Sequence, residues 1–121
     1  MEKLYGIKYY DSLASFLFKK TKEEHAKDAA DNLIIVEHDG KYIFTFIDRL
    51  LLVTTSYFTP EQAEEILGFS IEKAAKSKRN KRIDEMQLHL LYDYCAKNNM
   101  LCYVYDILTQ KIKEFEGENL L

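Results

Sequence analysis

The strongest constraint on how this chain can fold is a run of branched and aromatic residues broken once by Asp39-Gly40. Leu33-Ile34-Ile35-Val36 precede the break, and Tyr42-Ile43-Phe44-Thr45-Phe46-Ile47 follow it. Asp-Gly between such runs predicts a two-residue hairpin, because both central positions of a type I′ turn need positive φ. A two-residue turn also fixes the register, placing Val36 opposite Ile43 and Ile34 opposite Thr45. Side chains alternate across a strand. One face of the hairpin therefore carries Leu33, Ile35, Tyr42, Phe44 and Phe46, and the other carries Ile34, Val36, Ile43 and Ile47. Both faces are apolar, which predicts packed layers on both sides of the sheet.

The remaining elements follow from caps and periodicity. Leu4–Tyr10 reads as an edge strand. Leu13, Phe16 and Leu17 have helical spacing, and Thr21-Lys22-Glu23-Glu24 is a capping-box pattern, so a helix is predicted over 12–30 with a restart at Thr21. Thr59-Pro60-Glu61-Gln62 is the clearest helix start, with Gly68 ending that helix and Ser70 capping the next. Ile83–Lys97 reads as the longest helix. Its predicted apolar face holds Ile83, Gln87, Leu88, Leu90, Leu91, Tyr94 and Cys95, with Glu85, His89, Asp93 and Lys97 opposite. The prediction is a single α+β domain over 1–121 with a mostly antiparallel sheet. That sheet comprises a hairpin over 33–47, a strand over 50–56 and C-terminal strands over 100–107 and 111–115. Helices over 12–30, 60–67, 71–78 and 83–97 pack on it.

At 121 residues and 47% apolar, the chain can bury a core without staples. Uninterrupted apolar runs such as Leu33–Val36 and Leu50–Val53 are far too short to span a membrane. No signal-like block opens the sequence. Cys95 and Cys102 form no metal or redox motif and read as thiols in a reducing, cytoplasmic setting.

Charge is unevenly placed. The chain carries −3 overall, yet Lys73, Lys76, Lys78, Arg79, Lys81 and Arg82 lie within ten residues that contain no acid. A basic patch on an acidic body suits phosphates or an acidic protein surface, although runs of charge most often simply face water. Nine tyrosines are more than one small core takes up. Tyr5, Tyr9, Tyr10 and Tyr57 are therefore candidate interface aromatics.

Three arrangements suggest chemistry. Glu85, His89 and Asp93 recur every four residues along one helix face, which suits part of a metal site but is also ordinary surface decoration. Asp39-Gly40-Lys41 contains the acid-x-lysine spacing met in metal-dependent nucleases, but the turn accounts for it fully. Gln62–Ala74 resembles a helix-turn-helix, with Glu64 where that motif usually buries a small residue. No P-loop, dinucleotide-binding, nucleophile-elbow or zincin motif is present.

No catalytic residue, metal or cofactor is therefore assigned. The expected function is a small cytoplasmic, non-enzymatic interaction protein of the inhibitor, immunity or regulatory type, in a bacterium or phage. It would bind a protein partner through the basic patch and the tyrosines, with no membrane involvement and with self-association left open. The alternatives are a nucleic-acid-binding regulator using 62–82 as a degenerate helix-turn-helix, and a metal-dependent enzyme such as a nuclease.

Overall fold

Asp39 and Gly40 adopt φ of 51° and 75°. The chain reverses in two residues, and β2 (Asn32–His38) pairs antiparallel with β3 (Lys41–Asp48). The computed structural model describes residues 3–12, 21–77 and 81–114. It has the predicted register, with Val36 opposite Ile43 and Ile34 opposite Thr45. β3 reverses again at Arg49-Leu50, where φ is 49° and 66°, into β4 (Leu51–Thr55). Neither turn residue is glycine, so this second hairpin spends roughly 1–2 kcal/mol per residue on a left-handed backbone.

These three strands are the middle of one seven-stranded sheet of order β5-β1-β2-β3-β4-β6-β7. The outer strands are β1 (Leu4–Tyr10), β5 (Ile83–Asp84), β6 (Leu101–Asp106) and β7 (Ile112–Glu114). Every neighbouring pair is antiparallel except β1 and β2. Parallel neighbours need a crossover, and the chain between them contains helix α1 (Lys22–Ala29). β1 comes close to the start of β2 because residue 6 is glycine. A Cβ there would stand 2.8 Å from Asn32 Oδ1, while the Asn32 amide donates to Asp28 O at 3.0 Å.

The sheet divides the core as the alternation predicts. The larger cluster contains Leu33, Ile35, Tyr42, Phe44, Phe46 and Val53. Helices α2 (Pro60–Leu67), α3 (Ile71–Lys76) and α4 (Glu85–Lys97) supply its other layer through Ala63, Leu67, Ile71, Leu88, Leu91 and Cys95. The smaller cluster, on the opposite face, joins Ile34, Val36, Ile43, Leu52 and Tyr105 to Ala29 of α1. Phe44 and Phe46 are fully buried, each worth on the order of 2–3 kcal/mol of transfer free energy.

A bulge at Thr54/Thr55 delivers α2 to the larger cluster. The Thr55 hydroxyl takes the place of a ladder carbonyl, accepting from Phe44 N–H at 3.0 Å. Pairing resumes between Tyr42 and Phe58, whose ring meets Phe44 edge-on at 4.9 Å. Thr59 and Gln62 then close the predicted capping box at the start of α2, and Gly68 (φ 84°) ends it.

Several boundaries differ from the sequence reading. The helix predicted over 83–97 begins at Glu85, because Asp84 caps it with Gln87 while Ile83–Asp84 pairs with β1 as a strand. Leu90 is 51% exposed and outside the core, so the buried stripe of α4 is narrower than predicted. The helix predicted over 12–30 is described from Lys22 only. Thr21 is extended and caps it, and 13–20 lie outside the described residues. The helix predicted over 71–78 ends at Lys76 with Ser77 extended. β4 ends at Thr55, and β7 is Ile112–Glu114, with Phe115 outside the described residues. β1 has a neighbour on each side, although β5 covers only Leu4 and Tyr5.

Nothing lies within 4 Å of a Cβ built on Gly40, so substitution there tests backbone conformation alone. Gly40→Val is expected to cost about 1–2 kcal/mol in urea unfolding, with an unchanged denaturant slope. An unchanged midpoint would mean that the turn does not set the register.

Candidate functional site

Beyond Tyr5 the outer side of β1 opens onto a cleft of about 630 Å³. Gly6, Ile7 and Tyr9 of β1 line it together with Ile35 of β2. Phe69, Ile71, Ala74 and Ala75 line it from α3 and the turn before that helix. Its charged lining is Lys81, Arg82 and Asp31, the last already paired with Lys3 at 3.3 Å. α3 presents small residues to this space because Ala74 and Ala75 follow its single buried anchor, Ile71.

The six predicted cations are not equivalent. Lys73, Lys81 and Arg82 are exposed and have no ion pair among the described residues. Lys76 is paired with Glu72 one helical turn away at 2.9 Å, which holds the lysine pKa above and the carboxylate pKa below their ordinary values. Lys78 and Arg79 lie outside the described residues. Lys81 Nζ stands 5.5 Å from the centre of the Phe69 ring, a cation–π contact at the cleft.

The four candidate tyrosines are separated by the sheet. Tyr5 is buried (8% exposed) in the larger core cluster, so it is not the exposed anchor the sequence suggested. Tyr10 and Tyr57 are half-buried against the smaller cluster on the opposite face, where Tyr57 stacks on His38 at 5.8 Å. Only Tyr9 reaches the cleft. It is 37% exposed, and its hydroxyl donates to Glu37 at 3.1 Å. Partial burial and that hydrogen bond push its pKa up to about 12.

The other sequence candidates do not converge. Asp39 and Lys41 are exposed at the hairpin tip, with Asp39 3.5 Å from His38. Glu85 and Asp93 are exposed on α4, and no cluster of three metal-ligating side chains forms among the described residues. His89, predicted to share their solvated face, turns inward instead.

His89 Nδ1 donates to Oδ1 of Asp48, a carboxylate whose side chain is fully buried. Arg49 holds the other oxygen from Nη2 at 3.1 Å and from Nε at 3.3 Å, and its guanidinium lies 5.9 Å from the Tyr92 ring centre. Asp48 was not among the predicted residues, although a signal existed. It follows Phe44 and Phe46 on the inward alternation of β3, where an acid needs a partner to offset its desolvation. Sequence could not place that partner 41 residues away on α4. The cluster ties α4 to the second hairpin and steadies the left-handed Arg49.

Replacing His89 by Ala strips one oxygen of a buried carboxylate, so a loss of about 1–3 kcal/mol in unfolding free energy is expected. Asp48→Ala in the same chain should recover part of that loss, as a coupled pair does in a double-mutant cycle. Additive losses would mean that the two side chains act separately. Comparison of the chain with family models, curated proteins and solved structures gives no match. The functional reading rests on this chain's own residues.

Proposed function

We propose that this is a small, non-enzymatic, cytoplasmic interaction protein of the inhibitor, immunity or regulatory type. It binds a protein partner through the face carrying the β1 cleft. The observation that carries this reading is the meeting of Tyr9, Phe69, Lys81 and Arg82 at one concavity on an otherwise acidic chain. Aromatic rings supply contact area at low entropic cost, while unpaired cations steer an acidic partner and fix its orientation. Lys73 adds a further exposed cation on α3. Tyr5, Tyr10 and Tyr57 take no part. No helix among the described residues is long and apolar enough to cross a membrane.

A nucleic-acid partner would use the same cations differently, through phosphate contacts whose strength falls steeply with salt. Anisotropy of labelled probes separates the two readings. The probes are an acidic peptide containing aromatic residues, mixed-sequence duplex DNA and single-stranded RNA, each measured at low and physiological salt. The expected result is retention of the peptide at physiological salt, weakened about tenfold by combined Lys73→Ser, Lys81→Ser and Arg82→Ser. Tight duplex or RNA binding that disappears in the same variant would replace this reading with the regulator of nucleic acid.

A further inference from the structure

Among the described residues, the cleft borders a strand edge that β5 covers only in part. Gly6 N–H donates to Asp31 O at 2.9 Å, which directs the backbone groups of Gly6 and Lys8 toward β2. Strand geometry then sends the N–H and C=O of Tyr5, Ile7 and Tyr9 to the other side. Tyr5 is opposite Ile83 of β5. β5 ends there, so Ile7 and Tyr9 face no strand among the described residues. Both residues also line the cleft.

We infer that the cleft accepts an extended acidic segment of a protein partner as an added strand on β1, in line with β5. This rests on the interaction reading above and specifies its mode. An unpaired strand edge is a template for another chain, and main-chain hydrogen bonds supply affinity without regard to sequence. Specificity comes from alternate side chains of the added strand. Here one set faces Phe69, Ile71 and Ala74 across the cleft and calls for small apolar residues. Charge sets the remainder. Lys81 and Arg82 immediately precede Ile83, where β5 pairing stops, and neither has an acidic partner among the described residues. Both cations line the cleft with Ile7 and Tyr9, so a strand added on β1 there passes beside them, and glutamate or aspartate side chains on it complement them.

The opposite edge of the sheet is less suited to this role. β7 shows three residues among the described ones, flanked and interrupted by Lys111 and Lys113, and lysines on an edge strand resist pairing.

Amide hydrogen exchange of the intact, isotope-labelled chain tests the inference at the atoms it names. The probe is an end-blocked peptide of alternating glutamate and valine, compared with the same peptide N-methylated at every second residue. In the free protein, Gly6 and Lys8 amides should be protected while those of Ile7 and Tyr9 exchange at least about tenfold faster. Saturating peptide should protect Ile7 and Tyr9. Methylation on the bonding side should abolish this, and Lys81→Ser with Arg82→Ser should weaken binding about tenfold.

Protected Ile7 and Tyr9 amides in the free protein would overturn the inference, because the edge would already be filled. Failure of the unmethylated peptide to bind would overturn it too. Binding that needs Lys81 and Arg82 but leaves Ile7 and Tyr9 unprotected, or tolerates methylation, would remove strand addition and leave the interaction face standing. Protection of these amides by raised protein concentration alone would identify a second copy of the chain as the occupant and overturn the acidic segment.

Discussion

Two consecutive residues with positive φ, Asp39 and Gly40, set the register on which every other layer depends. Period-two geometry makes a register shift of one residue exchange the faces of the sheet. With the observed register, Phe44 and Phe46 face α2 and α4, while Ile34, Val36 and Ile43 face α1. Two apolar faces would not by themselves choose between registers, since either gives buried side chains. The turn makes the choice. It then places Asp48 on the inward side of β3, where His89 of α4 and the adjacent Arg49 satisfy it.

That arrangement shows how the fold accommodates polar groups it could not leave bare. The Thr55 hydroxyl fills a gap in the β3–β4 ladder, and Asp48 stands on a face of β3 otherwise made by Tyr42, Phe44 and Phe46. Each is a local departure from the β pattern, and each sits where the chain changes direction. The bulge at Thr54/Thr55 brings the capped start of α2 onto the core, and the Asp48 cluster holds the glycine-free turn into β4. The proposed binding face depends on the same construction. Because β5 is only two residues long, the edge of β1 ends the larger core layer unevenly, with α3 alongside it.

Local chemistry was the legible part of this sequence. The Asp-Gly turn, the Thr59–Gln62 capping box and the Gly68 stop each depend on residues within a few positions of one another, and each stands where expected. Interactions that join distant segments were not legible. The pairing of β1 with β2, the capture of Ile83–Asp84 by β1 and the bond from His89 to Asp48 depend on where separate elements meet in space. The same limit explains the tyrosines: composition says that nine are too many for one core, but only topology assigns Tyr5 to the interior and Tyr9 to the cleft. For the basic run, sequence gave position but not pairing. Lys76 is paired with Glu72, whereas Lys81 and Arg82 have no ion pair among the described residues and line the cleft beside β1.

The proposed function rests on the short β5 edge and on two cations that have no ion pair among the described residues, both at the β1 cleft. The most direct measurement is of intermolecular nuclear Overhauser effects between the labelled protein and a bound acidic peptide. Contacts from the Ile7 and Tyr9 amide protons to backbone protons of the peptide, in the alternating pattern of paired strands, are the result predicted. Contacts confined to the Lys81 and Arg82 side chains, with none to the β1 backbone, would contradict it.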